Sequence, residues 1–229
     1  MENSLFAGLI KTALDFYIIR HGESMGNTAN LLQGRGEYPL SERGRLQASA
    51  RASYLKKEFS ENFSAGIPPE KILLFSSPLL RAMETAGIFA REVGLPEPLL
   101  MDDLVERDLG VWSGKSFEQV KSEYPSVWAD FQARGWDAIP KAESFAALYE
   151  RAQRVWPALC NAATAHGAEK VIVVTHEGFG QVLLKSTFNC RSWFPLFSIF
   201  NCGLSKLHAE PGQWEDGVIL NWDEINSTI

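Results

Sequence analysis

The chain is 229 residues long, 45% apolar and 22% charged, with a formal charge of −6 and a pI near 5.3. That balance predicts a globular core and one domain over residues 1–229. It excludes a dense basic footprint for nucleic acid, and an anion site must then be a local concentration of positive charge.

The apolar run from Leu5 to Ile10 is too short for a membrane span and lacks the basic flank of a secretory signal. Residues 4–14 read as a short helix or a disordered extension. Residues 15–19 predict a first strand, followed by a polar loop with Gly22, Gly26, Gly34 and Gly36. Ser41 is placed to cap a helix reaching Phe59, with Leu46, Ala50 and Tyr54/Leu55 on one face. Residues 60–70 read as a loop, and Lys71 to Phe75 as a second strand. Ser77 suits a cap and Pro78 a first helical position, for a helix running to Val93 and closed by Gly94. Leu99 to Met101 is a short third strand.

Residues 103–143 are aromatic-rich and less regular, and predict a small helical lid subregion. Ser144 to His166 is a long helix ended by Gly167. Lys170 to Thr175 is apolar without alternation, as in a strand buried on both faces. A helix to Thr187 follows. Residues 196–200, 203–208 and 217–222 read as strands near a sheet edge. Strand, polar switch and helix recur, which predicts an α/β fold: a three-layer α/β/α sandwich with a mostly parallel central sheet.

Three of those switches carry Arg20-His21, Arg81 and His176. Strand ends in such sheets are where ligands bind, and Arg81 falls in the first turn of a helix, where backbone N–H groups favour an anion. Arg20 and Arg81 can grip phosphate oxygens, His176 can donate another bond, and His21 can attack phosphorus. Glu106 is the candidate to protonate the leaving alkoxide and later to activate water. From chemistry alone Glu106 is not separable from its neighbours Asp102, Asp103 and Asp108. Cys160, Cys190 and Cys202 have no metal-ligand or disulfide spacing. Neither a metal nor a cofactor is expected, and free thiols point to a cytoplasmic setting.

Several segments together resemble the histidine phosphatase superfamily, in its phosphoglycerate-mutase-like branch. Arg20-His21-Gly22-Glu23-Ser24 with Asn27 resembles the RHGES/T signature. Gly34 and Glu37 to Gly44, Ser76 to Ala86, Leu104 to Gly114, Pro140 to Ser144, Thr175 to Gly178 and Asn201-Cys202 follow in the family's order. The resemblance implies that His21 accepts the phosphoryl group, that Arg20, Arg81 and His176 bind it, and that Glu106 donates the proton. It also implies a substrate pocket that includes Ser24, Asn27, Gln33, Gly34 and Glu177, with no metal. Glu177 departs from the pattern, standing where glycine is common. A carboxylate there would repel a dianion unless it points away.

The long basic insert of the mutases is missing between Glu106 and His176, and Pro140 to Ser144 resembles the phosphatase branch. The expectation is a phosphatase acting on a small organic phosphate monoester, with no nucleic-acid or membrane partner. A cofactor-dependent phosphoglycerate mutase and a non-catalytic phospho-ligand binding protein are the alternatives. The substrate and the oligomeric state stay open.

Overall fold

A computed structural model describes residues 5–61, 67–213 and 217–228. In chain order it contains β1 (Leu14–Arg20), α1 (Met25–Thr28), β2 (Leu31–Leu32), α2 (Glu42–Glu61), β3 (Ile72–Ser76), α3 (Leu80–Phe89) and β4 (Leu99–Leu100). Then come β5 (Lys115–Ser116), α4 (Phe117–Glu123), α5 (Pro125–Arg134), α6 (Phe145–His166), β6 (Lys170–Thr175), α7 (Glu177–Thr187), β7 (Leu204–Pro211) and β8 (Val218–Ser227).

Six strands form the central sheet in the order β4-β3-β6-β1-β7-β8. The first four are parallel, and β7 and β8 add an antiparallel edge. Side chains alternate across a strand, and the core divides accordingly. Phe16 and Ile18 of β1, with Val171 and Val173 of β6, face Trp156 of α6 and Phe179 of α7. Tyr17, Ile19, Ile172 and Val174 face the other way, towards Ala52 and Leu55 of α2 and Ala86 and Phe89 of α3. Both faces are therefore covered, which is why β1 and β6 read as continuous apolar runs. Leu109, Trp112, Val120 and Ile139 form a third cluster in the 103–143 subregion, with α4 and α5 beside it.

The structure corrects four local expectations. Residues 5–9 form turns rather than a helix, and Phe6 is buried against Phe16 and Trp156, with ring centroids 6.4 and 5.2 Å away. Residue 4 and the part of the 60–70 loop between 62 and 66 lie outside the described residues. On α2 the buried face is Ala48, Arg51, Ala52, Leu55 and Phe59, whereas Leu46 and Tyr54 are exposed. Small alanines let this helix approach the sheet, so its inner face is not its bulkiest one.

The third helix begins at Leu80, not at Pro78. The Ser77 hydroxyl accepts from Leu79 N at 3.3 Å but also bonds His176 Nε2 at 2.8 Å. Glu37 Oε2, distant in sequence, takes the Leu80 N–H at 2.8 Å. Finally, residues 196–200 are not a strand. Their backbone is held by side chains: Arg20 takes Ile199 O, and Asn226 takes Ser198 O and accepts from Phe200 N.

Candidate active site

The end of β1 is locked before any ligand is considered. Arg20 and His21 carbonyls both accept from Cys202 N, and Asn201 Nδ2 donates to His21 O at 3.1 Å. On the other side the chain passes the head of α2 at backbone contact distance. A Cβ on Gly22 would lie 2.4 Å from Gly44 O, and one on Gly44 would lie 1.9 Å from Glu23 O. Only glycine permits that approach. Ser41 caps α2 by accepting from Gly44 N at 3.0 Å, and its hydroxyl donates to Glu23 Oε1 at 2.7 Å.

His21 is 2% exposed. Its Nδ1 lies 2.7 Å from Gly22 O, and a carbonyl only accepts, so Nδ1 carries the hydrogen. Arg81 Nε donates to Nε2 at 3.1 Å, so Nε2 presents its lone pair. Burial, then the charges of Arg20 and Arg81, hold the imidazole well below the ordinary histidine range. A neutral ring with Nε2 unprotonated is the state a nucleophile requires.

Arg81 extends from the first turn of α3 and is itself 1% exposed. Its Nη1 and Nη2 donate to Gly36 O at 2.8 Å and Gly34 O at 2.9 Å. The loop after β1 thus orients the guanidinium, and Gly34 turns there with φ +51°. His176, at the end of β6, stacks obliquely beside His21 with centroids 5.1 Å apart. Burial, then Arg81, His21 and Arg20, keep it below its ordinary range as well. Its Nδ1 is buried with no hydrogen-bond partner among the described residues.

Glu106 reaches the same place from the loop after β4. Its Oε1 accepts from Arg107 N at 2.7 Å and Phe179 N at 2.9 Å, and Oε2 accepts from Gly178 N at 3.0 Å. Two of those amides open α7, where the helix dipole favours an anion. A Cβ on Gly178 would fall 2.7 Å from Glu106 Oε1, so this carboxylate needs a glycine there.

A cavity of about 460 Å³ joins these groups. Arg20, His21, Asn27, Gln33, Gly34, Arg81, Glu106 and Glu177 all line it, so the structure brings together most of the residues singled out by sequence. Ser24 is corrected: it is fully buried behind the wall, where it caps α1 and bonds Asn27 and Gln33. The Glu177 carboxylate does not point away: it lines the cavity with its Oε2 2.8 Å from Arg20 Nη1, so its charge is met by that cation. His176 adjoins the cavity through His21 and does not line it.

Arg107, Lys185 and Trp193 also line the cavity, and sequence reading passed over them. The one signal was the cation directly after Glu106 in an aromatic-rich stretch. Much of the remaining wall is apolar, including Leu32, Leu109, Phe117, Trp136 and Phe197. No helix among the described residues is long and apolar enough to cross a membrane, and no cluster of three or more His, Cys, Asp or Glu there could hold a metal ion.

A family model described as the histidine phosphatase superfamily (branch 1) matches residues 16–220. A metal-independent phosphoserine phosphatase of Arabidopsis thaliana is 29% identical over 214 residues, covering 93% of this chain and 82% of that protein. Phosphoglycerate mutase-like protein 4 of the same plant is 34% identical over 181 residues, covering 78% and 73%. Among solved structures, a mycobacterial glucosyl-3-phosphoglycerate phosphatase complexed with VO3 superposes with a TM-score of 0.75 at 24% identity, covering 95% of this chain and all of that one.

Proposed function

This chain belongs to the histidine phosphatase superfamily, and we propose that within it the protein hydrolyses a small organic phosphate monoester through a phosphohistidine on His21. The observation that carries the reading is the His21 ring in the cavity wall, its hydrogen fixed on Nδ1 by Gly22 O and its unprotonated Nε2 held 3.1 Å from Arg81 Nε, a bond that Arg81 exchanges for the incoming phosphoryl group.

Nε2 attacks phosphorus, a P–N bond forms, and the ester P–O bond breaks. Arg81 and Arg20 supply fixed donors for the phosphoryl oxygens, and His176, which stands behind His21 rather than on the cavity wall, offers its unpartnered Nδ1 to the phosphoryl group once that group is carried on His21. Ser77 supports that role for His176: its hydroxyl can donate to Nε2, which leaves the hydrogen on Nδ1. Glu106 gives its proton to the departing alkoxide. The three amides around it suit the carboxylate that remains. Water then attacks phosphorus, Glu106 takes its proton, and the P–N bond breaks to release phosphate and regenerate His21.

Rapid quench with labelled phosphate ester tests this. The expected result is an acid-labile, base-stable label on the wild type that is absent from His21→Ala. Phosphate release undiminished in His21→Ala would overturn the route. Phosphoglycerate interconversion outpacing phosphate release in a coupled assay would favour the mutase reading. Binding with no labelling and no turnover would favour a receptor.

A further inference from the structure

Arg107 is 3% exposed, yet its Nη1 has no hydrogen-bond partner among the described residues. The rest of the guanidinium is spent on backbone: Nε donates to Glu143 O at 2.7 Å and Nη2 to Trp136 O at 2.9 Å. The nearest carboxylate pairing is loose, with Asp137 Oδ1 3.8 Å from Nη2 and half exposed. The Glu143 carboxylate is taken by Arg151 and Arg35. Glu106 is held by amides.

Trp193 covers Arg107, the guanidinium carbon lying 4.6 Å from its ring centroid. The Trp193 indole N–H is itself a buried donor without a partner among the described residues. Lys185 is 4% exposed, and among the described residues its ammonium hydrogen-bonds the carbonyls of Ser192 and Trp193. All three residues line the cavity that holds His21. Buried donors are normally paired. Here two unpaired donors and two buried cations belong to residues that line one cavity, and each contact that the Arg107 guanidinium and the Lys185 ammonium make at hydrogen-bond distance is to a neutral carbonyl. An anion with two acceptor oxygens is what this wall lacks.

We propose that Arg107 and the Trp193 indole N–H, backed by the charge of Lys185, form a second subsite that holds a carboxylate on the substrate's alcohol portion. The preferred substrate is then a phosphate monoester of a hydroxy acid. The aromatic faces of Trp193 and Trp136 keep water from the guanidinium and strengthen its hold on that carboxylate. This inference rests on the phosphatase reading for its catalytic consequence, but the subsite itself can be tested without turnover.

Two substrate pairs isolate the carboxylate: O-phosphoserine against O-phosphoethanolamine, and 3-phosphoglycerate against glycerol 3-phosphate. Wild-type kcat/KM is expected to favour the acid by about ten- to a hundredfold in at least one pair, the range for losing a charged hydrogen bond. In Arg107→Met and Lys185→Met that ratio collapses towards one, through KM. Calorimetric binding of the same pairs to His21→Ala, which needs no hydrolysis, is expected to show the same discrimination. Equal kcat/KM and equal binding within both pairs would overturn the subsite. So would a preference that survives in Arg107→Met. Failure of the wild type to release phosphate, with carboxylate-dependent binding intact, would instead sink the hydrolytic reading and leave the subsite standing.

Discussion

Glu177 Oε2 lies 2.8 Å from Arg20 Nη1, so the first residue of α7 occupies a cation at the end of β1. Arg20 Nη1 also donates to Ile199 O at 2.6 Å, while its Nε has no partner among the described residues. An arriving phosphoryl group must compete with a carboxylate for this guanidinium. Glu177→Gln removes the competitor and keeps the shape. A partly exposed pair of this kind is worth about 1 kcal/mol at most, so KM for a phosphate ester should fall by up to about fivefold. Steady-state kinetics with p-nitrophenyl phosphate would measure it. A rise in KM would mean that Glu177 helps to place Arg20 instead of masking it.

His21 and His176 predict how stability responds to acid. Both folded-state values lie below the ordinary 6.5, chiefly because burial penalises the charged ring. Below pH 6.5 the unfolded chain takes up protons that the folded chain refuses, so stability falls as the pH drops. Above that value both states are neutral and the contribution is flat. Each withheld proton costs about 1.4 kcal/mol per pH unit. Urea midpoints measured between about pH 7.5 and about pH 5.5 should decline on the acid side, and less steeply in His21→Asn. A flat wild-type profile would show that the rings are not held neutral.

The same depression shapes catalysis. A nucleophile that resists protonation keeps working in mild acid, so the acid limb of kcat/KM should lie well below pH 6.5. A limb at the ordinary histidine position would contradict the enclosure of His21 by Arg20 and Arg81.

Glu106→Gln preserves size, and its one oxygen can still accept from Arg107 N and Phe179 N, but its amide nitrogen then faces Gly178 N and it has no acid proton to transfer. A positioned general acid is worth about 10²–10⁴-fold. The loss should be large for an alkyl phosphate and much smaller for p-nitrophenyl phosphate, whose leaving group needs no proton. Comparing kcat on the two esters separates proton donation from simple disruption, because disruption lowers both alike.

Gly44→Ala would force a methyl group to within 1.9 Å of Glu23 O, a backbone atom with nowhere to go. Overpacking of this kind costs about 1–3 kcal/mol. Because Glu23 stands two residues after His21, activity should fall along with the melting temperature. Wild-type stability and activity in this variant would mean that the α2 head can retreat freely.

Much of the architecture was readable in advance because β1 and β6 are buried on both faces and announce themselves as apolar runs. The three strand ends that carry His21, Arg81 and His176 follow from local pattern alone. What escaped depended on partners distant in the chain. Ser77 looks like a helix cap until His176 takes its hydroxyl. Residues 196–200 look like a strand until Arg20 and Asn226 take their backbone groups. Arg107 looks like one more charge in a polar loop until Trp136, Glu143 and Trp193 fold around it.

Leu109, Trp112, Val120 and Ile139 pack with one another, apart from the two clusters that sandwich the sheet. Part of the cavity wall, Leu109 included, therefore rests on a packing unit separate from the two that mount His21 and Arg81. Residues in this third cluster can be exchanged in volume-conserving sets, altering the surface offered to an alcohol while His21 and Arg81 keep their mounts. A library confined to 103–143, sparing Glu106, is the economical starting point for redirecting the protein to a new ester.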